Sequence, residues 1–181
     1  MTLPFFTVGH SNRSLNAFVA LLREADVAVV ADIRKMPRSR ANPQFNGDAL
    51  SEALAGVQIG YEHIAALGGL RGKTKNLRQG LNNGWTNRSF RNYADYALSE
   101  PFQAGLDHLI QEGRRRCCTV MCSEAVWWRC HRRIVADYLI ARGETVFHLM
   151  GEGRKEPARL TPGATVQPNG TILYQVDPSP A

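Results

Sequence analysis

The stretch VMCSEAVWWRCHRR, residues 120–133, packs two thiols, an imidazole, a carboxylate and several guanidinium groups into one short segment. Nucleophilic thiol chemistry needs an activated sulfur, a proton acceptor within reach and a pocket that stabilises charge, and all three residue types are here. Cys122 is the candidate nucleophile. It falls where an apolar run gives way to a loop and then a helix, and a helix start with guanidinium groups nearby favours thiolate. His131 or Glu124 would move the proton. Arg129 and Arg132, with Arg34 from another segment, would hold an anionic substrate. Cys130 reads differently: at helical spacing it shares a face with Trp127, Ile134 and Tyr138, which assigns it to the core. Trp127 and Trp128 read as packing. No metal centre is expected. Cys122 and Cys130 stand eight positions apart, whereas structural zinc prefers paired ligands at short separations. Cys117 and Cys118, adjacent on a strand, point to opposite faces.

These groups need elements to position them. Phe5–Val8 is a short apolar run that stops at Gly9, a buried strand. Ser14 is placed to cap a helix carrying Leu15, Phe18, Val19 and Leu22 at helical spacing. The continuous β-branched run Val27–Ile33 predicts a strand buried on both faces. A short helix is expected over Asp48–Ala55 and a third strand over Val57–Ile64. Arg88–Leu98 and Pro101–Glu112 read as two helices, the second with Pro early in it. Cys117–Cys122 reads as a strand, Val126–Arg142 as one helix ending at Gly143, and Thr145–Leu149 as another strand. Asn169-Gly170 between ATVQP and TILYQV signals a hairpin. Strands alternating with helices predict an α/β fold of three layers: a mostly parallel sheet, helices on both faces and a small C-terminal β-hairpin. We expect a single domain over 1–181, with its core at about 5–150 and an extension at about 151–181.

Such sheets place their sites beyond the carboxyl ends of the strands. The first strand ends in Gly9-His10-Ser11-Asn12-Arg13, the second in Asp32-Ile33-Arg34, and the strand at 117 in Cys122-Ser123-Glu124. Three segments therefore deliver titratable groups to one edge. His10 and Asp32 join Cys122, Glu124 and His131 as candidate catalytic residues, Asp32 either as a base or as an arginine's partner. Ser11, Arg13, Arg34, Arg38, Arg71, Arg129 and Arg132 are the candidate substrate-binding residues.

The charge balance of +6 over 181 residues favours anionic partners. Arg34, Lys35, Arg38 and Arg40 form an acid-free run. No acid stands between His63 and Asp95, where Arg71, Lys73, Lys75, Arg78, Arg88 and Arg91 lie among Gly69, Gly72 and Gly80. With Tyr61, Trp85 and Phe90 interleaved, such loops suit phosphates or unstacked bases. The function expected first is a cysteine-centred enzyme acting on an anionic substrate, a nucleotide, nucleic acid or a small molecule bearing sulfur or phosphate. A nucleic-acid-binding module is the second reading and a metal-binding domain the third. No cofactor is expected. The N-terminus has no basic start or long apolar run and no stretch is long enough to cross a membrane, so a cytoplasmic location is expected. All four cysteines fall between 117 and 130, too clustered for a disulfide framework.

The motifs VGHSNRS, ADIRKMPRSR, YEHIAALGGLRG, MCSE and CHRRIVADYL together resemble the domain-of-unknown-function family 488. Its pattern falls on Gly9-His10-Ser11, Asp32-Ile33-Arg34, Pro37-Arg38-Ser39, Leu67-Gly68-Gly69, Cys122-Ser123-Glu124 and Cys130-His131-Arg132. The resemblance implies a compact α/β domain with these motifs grouped, and no particular reaction. A fainter similarity is to rhodanese-like sulfurtransferases, in the strand ending Asp32-Ile33-Arg34 and the strand leading into Cys122 and Arg129. Here six residues separate Cys122 from Arg129, longer than the usual anion-cradling loop, and Glu124 would put a negative charge inside it.

Overall fold

Residues 2–176 are described by the structure, a computed structural model. Met1 and residues 177–181, the end of the C-terminal extension, lie outside the described residues. The strand Phe5–Gly9 (β1) is buried throughout. Ser14 caps the helix Leu15–Glu24 (α1) by accepting the Ala17 N–H, which satisfies one of the donors a helix start leaves open. Val29–Asp32 (β2), Gly47–Ala55 (α2) and Gly60–His63 (β3) follow. Arg88–Tyr96 (α3) and Glu100–Arg115 (α4) then lead into Cys118–Cys122 (β4), Arg132–Ala141 (α5) and Val146–Gly151 (β5). The chain ends in Arg154–Pro157 (β6) and a hairpin of Ala164–Val166 (β7) and Ile172–Tyr174 (β8). Gly170 supplies the positive φ of +83° at the hairpin turn.

The six-stranded sheet runs β3-β2-β4-β1-β5-β6, parallel except for β6. Successive side chains on a strand face opposite ways. Phe5, Val29, Ala31, Cys118, Val120 and Cys122 therefore pack on one side with α3, α4 and α5. Phe6, Val8, Val30 and Met121 pack on the other with α1 and α2. This is the three-layer α/β arrangement expected from the sequence. Strand β6 was not foreseen. Its residues are polar and mostly exposed, so only pairing with β5 makes it a strand.

The single helix expected over Val126–Arg142 is corrected. Trp127–Arg129 forms one 3-10 turn, Cys130 is extended (φ −123°, ψ 145°), and α5 starts at Arg132. The cause is the Arg132 side chain. It is buried and donates to the carbonyl oxygens of Glu124 and Ala125, folding the 123–129 segment back on the strand. Trp127 stacks on the His148 ring at 4.4 Å.

His148 carries a pH prediction. Its Nδ1 lies 2.7 Å from the Thr7 hydroxyl inside the sheet. Burial, reinforced by the Arg132 and Arg133 cations, lowers its pKa to about 4. Between that value and the ordinary value near 6.5, the unfolded chain binds a proton that the native one does not, so stability rises with pH there and is lost on acidification. Burial also lowers the His10 pKa, adding to the same trend. Thermal melts should lose about 3 kcal/mol from His148 between roughly pH 7 and pH 4. His148→Gln should flatten that slope; an unchanged slope would assign it elsewhere.

Candidate active site

The chain leaves β2 for α2 on one face of the sheet and leaves β4 for α5 on the other. These strands are neighbours, so their diverging exits open a crevice at the carboxyl edge. A cavity of about 550 Å³ lies there, lined by residues following β2 and β4, by Gly69 and Leu70, and by Ser89, Phe90 and Tyr93 of α3. That volume suits a small-molecule ligand.

Cys122 ends β4 with its side chain on the α5 side, and Cys130 reaches the same cavity from the extended break before α5. Both thiols are buried. His131 stands beside them, its Nδ1 3.9 Å from the Cys122 sulfur and 3.7 Å from the Cys130 sulfur. Its Nε2 lies 2.9 Å from the Ile33 carbonyl oxygen. A carbonyl only accepts, so Nε2 carries a hydrogen and Nδ1 faces the sulfurs, where its lone pair takes a thiol proton and then donates it back to the thiolate. Gly69 leaves room for this: a Cβ there would sit 2.8 Å from Nδ1. The edge-to-face ring of Tyr93, 4.9 Å away, holds the imidazole from the other side.

The two sulfurs do not ionise alike. The Cys130 thiol, as a hydrogen-bond donor, and then His131 hold Cys122 well below the ordinary thiol range against the opposing effect of burial. Burial, and then the neighbouring Cys122 sulfur, push Cys130 well above it. One shared charge between two close thiols explains the opposite directions, because two thiolates this near would repel.

Around the opening stand Lys35, Arg38 and Arg129, with Arg34 deeper in and Glu124 as the carboxylate among them. Arg38 and Arg129 are exposed, and their guanidinium groups make no hydrogen bond or ion pair among the described residues. Glu124 accepts the Val126 N–H at 3.4 Å.

Other candidates are placed elsewhere. Asp32 is on the opposite face from Cys122, fully buried, and its oxygens are taken by Arg34 and by the Tyr61 hydroxyl at 2.7 Å. His10 donates through Nδ1 to the Ser11 carbonyl at 2.8 Å and turns Nε2 to Arg34 at 3.3 Å, so its lone pair is engaged away from the cavity. Ser11 pairs its N–H with the Ser123 carbonyl, which aligns the two loops. Arg13 bonds the carbonyls of Gly9 and Met150, and Arg71 those of Gly68 and Ala65. Arg132 is spent on the 124–125 backbone. Of the substrate-binding candidates, Arg34, Arg38 and Arg129 line the cavity; Ser11, Arg13, Arg71 and Arg132 do not. Trp85 and Phe90 stack on each other at 4.8 Å.

The core role expected for Cys130 holds, since it is buried in one cluster with Ile134 and Tyr138, but an unbroken helix hid that its sulfur also reaches the cavity. The signal that could have placed it is its adjacency to His131 in the motif Cys130-His131-Arg132. The spacing argument against a metal also loses its force. The folded-back loop brings Cys122 Sγ, Cys130 Sγ and His131 Nδ1 within 4.8 Å of one another, the one such trio among the described residues. Those atoms could share a soft ion and leave a fourth position open.

No curated protein and no solved structure matches the chain, so the rhodanese-like resemblance finds no support from either. The family model described as Domain of unknown function DUF488 matches residues 14–139, which include β2, β3, β4 and the start of α5 around this cavity, and the chain belongs to that family.

Proposed function

We propose that the protein is a cysteine-centred enzyme acting on an anionic substrate, with Cys122 as nucleophile. One observation carries the reading: the Cys122 sulfur borders a cavity that holds a histidine lone pair beside it and unpaired guanidinium groups at the opening. Thiolate attacks, His131 Nδ1 takes or returns the proton, and Arg38 and Arg129 bind the anion. Arg34, already paired with Asp32, shapes the wall. Glu124 limits how much negative charge the opening accepts.

Alkylation tests this. Neutral iodoacetamide and anionic iodoacetate are applied to the full chain at pH 7, and each cysteine is followed by peptide mapping. Cys122 is expected to react first, and its preference for the anionic reagent over the neutral one should exceed that of half-buried Cys117 by roughly tenfold. Arg38→Ala with Arg129→Ala should abolish that preference. If Cys122 stays unmodified until the protein is denatured, the reading fails.

A further inference from the structure

In a single-thiol mechanism Cys130 only donates a hydrogen bond to Cys122, yet its own sulfur borders the same cavity. Its sulfur lies within 4.8 Å of the Cys122 sulfur. It is 3.7 Å from His131 Nδ1 and accepts the Arg132 N–H at 3.5 Å. That N–H belongs to the first turn of α5, an end that favours negative charge on sulfur. Cys130 itself sits in the extended link between a 3-10 turn and the helix, its N–H donating to the Trp127 carbonyl and its carbonyl accepting the Arg133 N–H. Two sulfurs sharing one imidazole lone pair inside a cationic opening suit exchange with a disulfide, where one attacks and the other resolves.

Resting on the reading of Cys122 as nucleophile, we propose that this site carries out thiol–disulfide exchange on a small anionic disulfide, with Cys130 as the resolving thiol. In the first step the Cys122 thiolate attacks one sulfur of the substrate R–S–S–R. A bond from Cys122 to that sulfur forms, the substrate S–S bond breaks, and the first RS⁻ leaves past Arg129 and Arg38. Cys130 then passes its proton to His131 Nδ1 and attacks the Cys122 sulfur. The Cys122–Cys130 bond forms, the mixed disulfide breaks, and the second RS⁻ leaves with the proton from His131. Two electrons pass from the protein dithiol to the substrate. A small dithiol reverses the sequence and restores the reduced pair. The sulfurs must close to about 2.05 Å in the product.

The experiment uses the reduced full chain with oxidised glutathione, an anionic disulfide, and with neutral hydroxyethyl disulfide. The wild type is expected to release two glutathione molecules per chain, lose two thiols and yield a bridged Cys122–Cys130 peptide with no adduct left. Cys130→Ser and Cys130→Ala should each release one glutathione and keep the other on Cys122. Cys122→Ser should release none. The neutral disulfide should react at least about tenfold more slowly. A mixed disulfide that persists on wild-type Cys122 would overturn the role of Cys130 while leaving the nucleophile standing. Equal rates for the two disulfides would overturn the anionic substrate. A Cys122 that resists iodoacetamide as well would sink the underlying reading itself.

Discussion

Replacing Asp32 with alanine is expected to cost about 3–5 kcal/mol of folding stability, because it strands a buried cation. Asp32 is fully buried and accepts from the Arg34 backbone N–H, from its Nε, and from its Nη2 at 2.6 Å. The Tyr61 hydroxyl adds a further bond. Arg34 is 5% exposed and also donates to the Phe45 carbonyl. Without the carboxylate, the guanidinium would keep only that carbonyl and the His10 ring. A domain of this size has roughly 5–15 kcal/mol in total, so thermal melting should fall by about 10 °C. The double change Asp32→Ala with Arg34→Met removes both charges and should recover part of the loss. A loss below about 1 kcal/mol in the single variant would show that the ion pair does not hold the 32–46 segment.

Gly9→Ala is the second severe change, and its effect reaches the cavity. A Cβ at position 9 would lie 1.8 Å from the Glu124 carbonyl oxygen, 2.6 Å from its carbon and 3.0 Å from the Ala125 Cα. All three are backbone atoms, and Arg132 clamps both carbonyls from the other side. The His10 and Ser11 N–H groups bond the carbonyls of Cys122 and Ser123 alongside. The loop cannot yield without breaking one of these sets. Overpacking of this kind costs about 1–3 kcal/mol or more. The displaced loop starts directly after Cys122 and carries Arg129, so the Cys122 alkylation rate should drop at least about tenfold even in the folded fraction. Retained stability together with an unchanged Cys122 rate would show that the loop shifts freely.

Much of the fold was legible because its determinants are local. The apolar run at Phe5–Val8 and the β-branched run at 27–33 mark strands buried on both faces, and each does lie inside the sheet. Ser14 stands one residue before an amphipathic face, so its cap could be read directly. Asn169-Gly170 announced its hairpin by the same logic, since glycine there accepts a positive φ. Strand β6 carried no such mark: its polar residues gain their conformation only from a neighbouring strand.

The site divided along the same line. That Cys122, Arg34, Arg38, Arg129 and His131 come together at one edge followed from the sequence by itself, because parallel α/β topology gathers strand ends. Which groups remain free was decided by tertiary structure. Arg132 looked like a ligand-binding cation and is consumed by two backbone carbonyls; Arg129, three residues before it, is left open. Cys130 is a core residue, as its helical phase indicated, and is also a neighbour of Cys122 because the chain breaks ahead of α5, where the buried guanidinium binds the 124–125 carbonyls. Periodicity reports the face a residue takes if its element continues. Whether it continues depends on a buried charge finding carbonyl partners distant from its own turn, and no local pattern contains that choice.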